Sequence, residues 1–355
     1  MTLNQHRAGF TQALIDSFKD SVDVKSGFEA FFPSKTTRTK AVKIEVQREG
    51  RKVAVDVLRC TNGNRNKFSR STEKIFIPPF YKEFFDFTSC ESYDVSFGIG
   101  TAPNETIGRD LLTDAQEKLN SLKNKIKRAI ELQRSQVLQT GIVQLKNGDN
   151  IDFKRKAESM VNKTVSGEKW TATTTSDPIK DLQAGCEFLR QTGKSGSGVV
   201  NAIMGANAFN NYKLSTKVKE EADIRNINRG ELNMPILDGV SGLAYQGQVG
   251  AGDFIVNIWT YNETYENENG DEVRYLDTNT VVMLPLDFKG WTAYAGLPAV
   301  MGDAVTGQFV GQVESEYMAY DVIDQVKMSW EYYLMSAPLV VPVSVDRIYT
   351  LVTTS

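Results

Sequence analysis

The sequence predicts an α+β fold: a mixed central sheet covered by helices, one long amphipathic helix, and a two-stranded arm that leaves the body and returns. Three observations carry that prediction. Residues 108–140 repeat apolar side chains at spacings of three and four, the period of a helix with one buried face. From about residue 177 onward, helix-period and strand-period stretches alternate, as they do where helices cover a sheet. Residues 59–77, RCTNGNRNKFSRSTEKIFI, are polar and basic between well-patterned strands, with too little apolar material for a core of their own.

Composition sets the outer limits. A chain of 355 residues with 41% apolar and 10% aromatic side chains can bury a large core, in one large or two modest domains. The net charge of −3 gives no global basic field of the kind that gathers nucleic acid. One histidine, His6, removes most general-base, zinc and Cys–His chemistry. Cys60, Cys90 and Cys186 are widely spaced and form no CxxC pair, so neither a zinc knuckle nor a disulfide framework is expected. The first residues, MTLNQHRAGF, lack a signal-peptide pattern, and no apolar run approaches the ~20 residues that cross a bilayer. The expectation is a soluble cytoplasmic chain with no cofactor, no metal, no membrane partner and no enzymatic activity.

Residues 1–36 read as an N-terminal arm, with Phe10, Leu14 and Phe18 on one helical face. Val42, Ile44 and Val46 alternate with charged or polar residues, as do Val53, Val55 and Val57, which predicts a hairpin across Glu49-Gly50. The basic segment beyond leads into KIFIPPFYKEFFDF, so a longer excursion that leaves and returns is the second expectation here. In the long helix, Leu111, Ala115, Leu119, Leu122, Ile126, Ile130 and Val137 form the buried stripe, and Gly141 ends it. Its other side, with Lys118, Lys123, Lys125, Lys127 and Arg128, reads as a solvated face. IVQLKNGDNIDF predicts a hairpin around Asn147-Gly148.

Ser176-Asp177-Pro178 is a helix entry, with aspartate as the cap and proline in the first turn. GVVNAIMG predicts a strand and NAFNNYKLSTKVKEE a helix. A long hairpin follows, FIVNIWTYNETYE and DEVRYLDTNTVVMLP joined at Asn269-Gly270. The β-branched C-terminal runs predict a strand stitched into an earlier sheet.

The chemical motifs fail on inspection. Gly193-Lys194-Ser195 suggests a phosphate loop, but Phe188 stands where its first glycine must be, and a helix precedes it instead of a strand. YENENGDEVRYL suggests a calcium loop, but aligning Gly270 at the sixth position puts Tyr265 and Leu276 where carboxylates are required. Nothing in the chain assembles a catalytic site, so a hydrolase with unrecognised carboxylates is only a rival from another class.

Charge is distributed more tellingly. From Arg38 to Lys74 there are 11 Lys/Arg against 4 Asp/Glu, a net of +7. From Glu220 to Asp277, 12 Asp/Glu stand against Arg225, Arg229 and Arg274, a net of −9. In a closed symmetric assembly every copy can present its basic arm to a neighbour's acidic region, which steers and registers the contact.

Five segments in order carry a resemblance: KVAVDVLRCTNGN with KIFIPPFYKEF, RDLLTDAQEKL, KWTATTTSDPIKDLQAGCEFL, TYNETYENENGDEVRYLDTNTVVML and SAPLVVPVSVDRIYTLVT. Together they resemble the lambda-like major capsid proteins of tailed bacteriophages, which carry the Hong Kong 97-type capsid fold. Asp277-Thr278 and Ser344-Val345-Asp346 depart from the proline-aspartate pattern of that family. The resemblance implies an N-terminal arm (1–36), an extended loop near 48–82 within 37–105, and a peripheral domain with the long spine helix (106–176). It also implies an axial domain (177–320) and C-terminal strands (321–355) that return to the peripheral domain.

The function implied is a shell of hexamers and pentamers enclosing double-stranded DNA, assembled in the bacterial cytoplasm and ending in the virion. The implied partners are the chain itself, a separate scaffolding protein, a portal and a decoration protein, with non-specific proximity to packaged DNA. The lysine–asparagine crosslink of some related phages is not carried over to Lys67 or Lys74. An encapsulin-like nanocompartment shell is the alternative on the same fold. The expected intersubunit contacts are Arg51, Arg65, Lys67, Arg70 and Lys74 on the loop, against Glu220, Glu221 and Asp223 of a neighbour.

Overall fold

The computed structural model describes residues 24, 26–46, 72–88, 104–145, 150–222, 230–237, 242–303, 307–324, 326–327 and 329–354. A short 3₁₀ turn, Glu29–Phe31, leads into β1 (Ser34–Thr36), and Phe28 and Phe32 on either side of the turn are fully buried. β2 (Val42–Val46) pairs antiparallel with β3 (Thr72–Phe76), Val42 opposite Phe76 and Val46 opposite Thr72. The expected partner Val53–Val57 lies outside the described residues; the partner observed is β3. The chain thus leaves through one strand and returns through the other, and then forms β4 (Tyr81–Thr88).

α1 (Asn104–Gln139) spans 36 residues, about 54 Å at 1.5 Å per residue. Ala115, Leu119, Ile126, Ile130 and Val137 are buried along it, as the periodicity requires. Gly141, at φ +74°, ends the helix by turning its N–H back to the carbonyls of Gln136 and Val137, a conformation that favours a residue without Cβ. β5 (Ile142–Val143) and β6 (Ile151–Asp152) pair as a minimal hairpin, and β7 (Met160–Asn162) follows.

Asp177 caps α2 (Pro178–Gln191): the Lys180 N–H donates to Asp177 Oδ1 at 3.1 Å, and Pro178 occupies a position where no N–H is needed. Replacing Asp177 with alanine is expected to cost about 1 kcal/mol, read as a lowered denaturant midpoint with an unchanged slope. β8 (Val199–Met204) comes next. The single helix expected over Asn207–Glu221 is two, α3 (Ala206–Leu214) and α4 (Thr216–Ala222). They part at Ser215, which is wholly buried, and the Thr216 N–H leaves the helical ladder for the carbonyl of Thr173.

β9 (Gly230–Leu237), β10 (Leu243–Ala251) and β11 (Phe254–Tyr261) form a meander. β12 (Thr264–Glu266) and β13 (Glu272–Arg274) form a short hairpin. Its turn is wider than the two-residue Asn269-Gly270 turn expected: Asn267 Oδ1 accepts the N–H groups of both Asn269 and Asp271, and Gly270 sits at φ +84°. β14 (Thr280–Pro285), β15 (Gly290–Tyr294), β16 (Leu297–Asp303) and β17 (Gly307–Val313) lead to β18 (Met318–Asp324). β19 (Ser329–Ser336), β20 (Pro338–Pro342) and β21 (Tyr349–Val352) complete the chain.

The central sheet has seven strands in the order β7-β21-β14-β8-β11-β10-β9 and is mixed, with β8 parallel to β11 and β7 parallel to β21. The long hairpin read over 254–285 is therefore real only at its tip, because β8 inserts between β11 and β14. β14 is buried along its whole length and β8 along most of its own, so period alone cannot say which strands lie beside them. In β14, Val281 and Met283 face a core shared with Ile179, Leu182, Cys186 and Leu189 of α2, while Val282 and Leu284 face a second core. That second core contains the buried stripe of α1, Leu339–Val341 of β20, and Tyr332 and Leu334 of β19.

Two three-stranded sheets, β1-β15-β20 and β18-β19-β4, share this α1 core. The C-terminal segment splits: β19 and β20 stay with α1, whereas β21 enters the central sheet between β7 and β14.

Candidate functional site

Among the described residues, α1 fastens two segments: the limb from β3 into β4 and the N-terminal stretch around Phe28. The return limb from β3 into β4 runs along α1. The Phe76 ring meets Phe153 with centroids 5.6 Å apart. Gln133 Nε2 donates to the Tyr81 hydroxyl at 3.0 Å, while burial pushes that phenol above its ordinary pKa against the opposing effect of the bond. Lys125 Nζ meets Glu83 at 2.7 Å, and Lys118 Nζ sits 4.4 Å above the Phe87 ring. Lys123 lies 5.8 Å above Tyr317. The basic side of α1, read from the sequence as solvated, is in these three places a seat for the strands beside it. Ring faces and a carboxylate draw the amines while leaving them partly hydrated.

The N-terminal segment is fastened by polar groups that α1 buries. Glu131 is 1% exposed and accepts the Phe28 N–H at 2.9 Å, the Tyr261 hydroxyl at 3.0 Å and Arg134 Nη1 at 3.1 Å. Arg134 Nη2 also donates to Thr292 Oγ1 at 3.2 Å, and Thr292 Oγ1 donates to the carbonyl of Phe32 at 3.0 Å. Burial pushes the Glu131 carboxyl above its ordinary pKa, with Arg134 and the donated hydrogen bonds pulling it down. Gly27 packs so close to Tyr261 that a Cβ would meet the ring at 2.5 Å. One carboxylate thus joins the N-terminal strap, the long helix and β11 of the central sheet.

Neither this cluster nor the Gly193–Ser195 segment is arranged for catalysis. Ser195 Oγ donates to Asp287 at 2.7 Å, and Arg347 spans the loop, donating to the carbonyls of Gly193 and Asp287 and pairing with Asp287 at 3.2 Å. Burial raises the Asp287 pKa, but Ser195, the Gly196 N–H and Arg347 outweigh it and hold the carboxyl below its usual range. The segment is a pinned connector, and its loop carbonyls are turned to an arginine.

The residues expected to make intersubunit contacts are placed unevenly. Arg51, Arg65, Lys67 and Arg70 lie in 47–71, outside the described residues, as does Asp223. Lys74 lies on β3 opposite Ile44 of β2. Glu220 is exposed in the last turn of α4 with Lys217 at 3.4 Å. Glu221 is half-buried, and its charge adds to the burial that raises the Tyr212 pKa.

Sequence reasoning missed Glu131, Gln133, Arg134 and Ser135. The signal was present: Arg134 follows Ile130 by four residues and precedes Val137 by three, which places a charge on the buried stripe.

Residues 12–353 match the family described as Phage major capsid protein E. Among solved structures, the chain is similar to a prophage protein of E. coli CFT073 assigned as a capsid protein, at 16% identity and a TM-score of 0.59 over 99% of both chains. It is also similar to a phage-related protein of Bordetella bronchiseptica RB50, at 13% identity and a TM-score of 0.55 over 95% of both chains. No curated protein sequence matches significantly.

Proposed function

The chain belongs to the phage major capsid protein E family, a family of structural proteins of the phage head and not of enzymes, and on that premise we propose that its copies form the hexamers and pentamers of an icosahedral shell around double-stranded DNA. The observation that carries the arrangement of copies is the β2–β3 pair. It brackets 47–71, a segment with Arg48, Arg51, Lys52, Arg59, Arg65, Lys67 and Arg70 against only Glu49 and Asp56. So polar a segment gains little by packing on its own body, whereas a neighbour's acidic surface offers complementary charge.

In this reading residues 177–320, with α2–α4 and strands β8–β11 and β14 of the central sheet, form the axial domain around each capsomer axis. α1 and its sheets form the peripheral domain, and the loop near 48–82 lies over the adjacent subunit. Arg51, Arg65, Lys67, Arg70 and Lys74 meet Glu220, Glu221 and Asp223 of that neighbour. A separate scaffolding protein, a portal and a decoration protein complete the assembly, which takes place in the bacterial cytoplasm. The encapsulin-like alternative has the same fold but a different family and a protein cargo.

The variant Arg65→Glu/Lys67→Glu/Arg70→Glu tests the charge pairing. Electron microscopy is expected to show no shells while the monomer melts as wild type. Wild-type assembly is expected to weaken as salt rises, since rim charges are screened beyond ~10 Å at 0.1 M. Normal shells from the triple variant would falsify the pairing.

A further inference from the structure

A second two-stranded ribbon departs from the root of the first. β16 and β17 pair with each other over seven residue pairs, from Leu297–Val313 out to Asp303–Gly307, and, among the described residues, with no third strand. Seven pairs carry the ribbon roughly 20 Å from its base. Its base is anchored: Leu297 is fully buried and Ala299 nearly so, with Leu297 packed against Ala295, Ala337 and Met318. Beyond the base the sequence, VMGDAVTGQFVGQV over 300–313, has one charged residue, Asp303. A two-stranded ribbon is marginal alone in water, and an uncharged, β-prone edge is a template for pairing with another chain.

The two roots are tied together. The Gly296 N–H donates to the Thr39 carbonyl at 3.1 Å, and a Cβ on Gly296 would meet the Arg38 carbonyl oxygen at 2.3 Å. Just beyond β17, Glu314 accepts Thr36 Oγ1 at 2.8 Å and pairs with Arg38 Nε at 3.4 Å. β1, which precedes β2, is itself paired to β15, which precedes β16. The direction in which one ribbon leaves the body therefore constrains the other.

We propose that β16–β17 is a second intersubunit arm, seated on a neighbouring copy of this chain, with Glu314 fastening its root to that of the basic arm. The occupant is a second copy because Gly296 and Glu314 tie the ribbon's root to that of the arm proposed above to lie on a neighbour. In a closed shell, each copy presents the same ribbon and the same receiving surface. The inference rests on the shell reading, but its chemistry differs from that of the first arm. The basic arm is steered by charge, whereas this ribbon, with Asp303 as its one charge, is held by strand pairing and apolar contact, which salt does not screen.

The test uses the full chain with p-benzoylphenylalanine at position 309, assembled from a mixture of ¹⁴N- and ¹⁵N-labelled copies and irradiated as shells. Mixed-isotope adducts of twice the subunit mass are expected, at equal yield in low and high salt once shells have formed, together with a ribbon resistant to protease. Shells whose adducts are all intrachain, or whose ribbon remains open to protease, overturn the second arm while leaving the shell reading intact. Absence of particles from the wild-type chain overturns both. In parallel, Glu314→Ala is expected to reduce the assembled fraction at least tenfold with the monomer melting point unchanged. Full assembly by that variant removes the tie between the two roots.

Discussion

Replacing Arg134 with alanine is expected to lower the unfolding free energy by about 3–5 kcal/mol, because it leaves a buried carboxylate without its counter-charge. Glu131 is 1% exposed, and Arg134 is the cation that faces it at 3.1 Å. The Phe28 N–H and the Tyr261 hydroxyl still donate to Glu131, but dipoles compensate a buried charge less than a guanidinium does.

The loss should depend on pH in a definite sense. Burial holds the Glu131 carboxyl above its ordinary value of 4.5, so the native state binds the proton more tightly than the unfolded chain. Stability contributed through this group therefore rises as pH falls through the window between the folded value and 4.5, and removing Arg134 widens that window. Denaturant titrations of the variant should show the larger deficit near pH 8 and a smaller one near about pH 5. A deficit that stays constant across that range would show that the cost is packing and not charge.

Arg155 is the second position where one substitution is expected to be severe. Nη1 donates to the carbonyls of Leu138 at 2.8 Å and Gln139 at 3.3 Å. Nη2 donates to the carbonyls of Ser159 and Ile348, both at 3.2 Å, and to Thr350 Oγ1 at 3.0 Å. The carbonyls at the end of α1 have no intrahelical donors and carry the negative end of the helix dipole, so a fixed cation there satisfies both. Burial lowers the Arg155 pKa to about 10, which still leaves it charged at neutral pH.

Arg155→Ala is expected to cost roughly 3 kcal/mol or more, since several buried carbonyls lose their donor at once. Arg155→Lys should recover little, because a single ammonium cannot reproduce the two-armed fork that reaches α1, residue 159 and β21 together. Thermal melting of the two variants checks this, and a lysine variant that melts with the wild type refutes the fork argument. Gly141 belongs to the same arrangement: besides its positive φ, a Cβ there would meet Arg155 Cδ at 2.4 Å.

Of the proposed interface, what the sequence carries is compositional: a basic, apolar-poor segment between strand-patterned stretches. The β2–β3 pair brackets that segment, and residues 47–71 themselves lie outside the described residues. The second ribbon was not legible. Only the tertiary structure shows that, among the described residues, no third strand joins β16 and β17 and that Glu314 meets Arg38. The lysines of α1 misled for a related reason: a charged side chain at a solvent-facing spacing looks the same whether water or an aromatic strand lies opposite.

By itself, the sequence determined what depends on neighbours within a turn or two. The span of α1 follows from a stripe of period 3.6, the start of α2 from an aspartate followed by proline, and the strand character of Thr280–Pro285 from its β-branched run. The tertiary structure alone decided which strands share an edge, that β8 separates β11 from β14, and that Glu131 faces Phe28 across 103 residues of sequence. The physical reason is that helix period and capping are written in local spacing. The partner of a fully apolar strand or a buried charge is chosen by packing among distant segments, each of which offers the chain nearly the same local pattern.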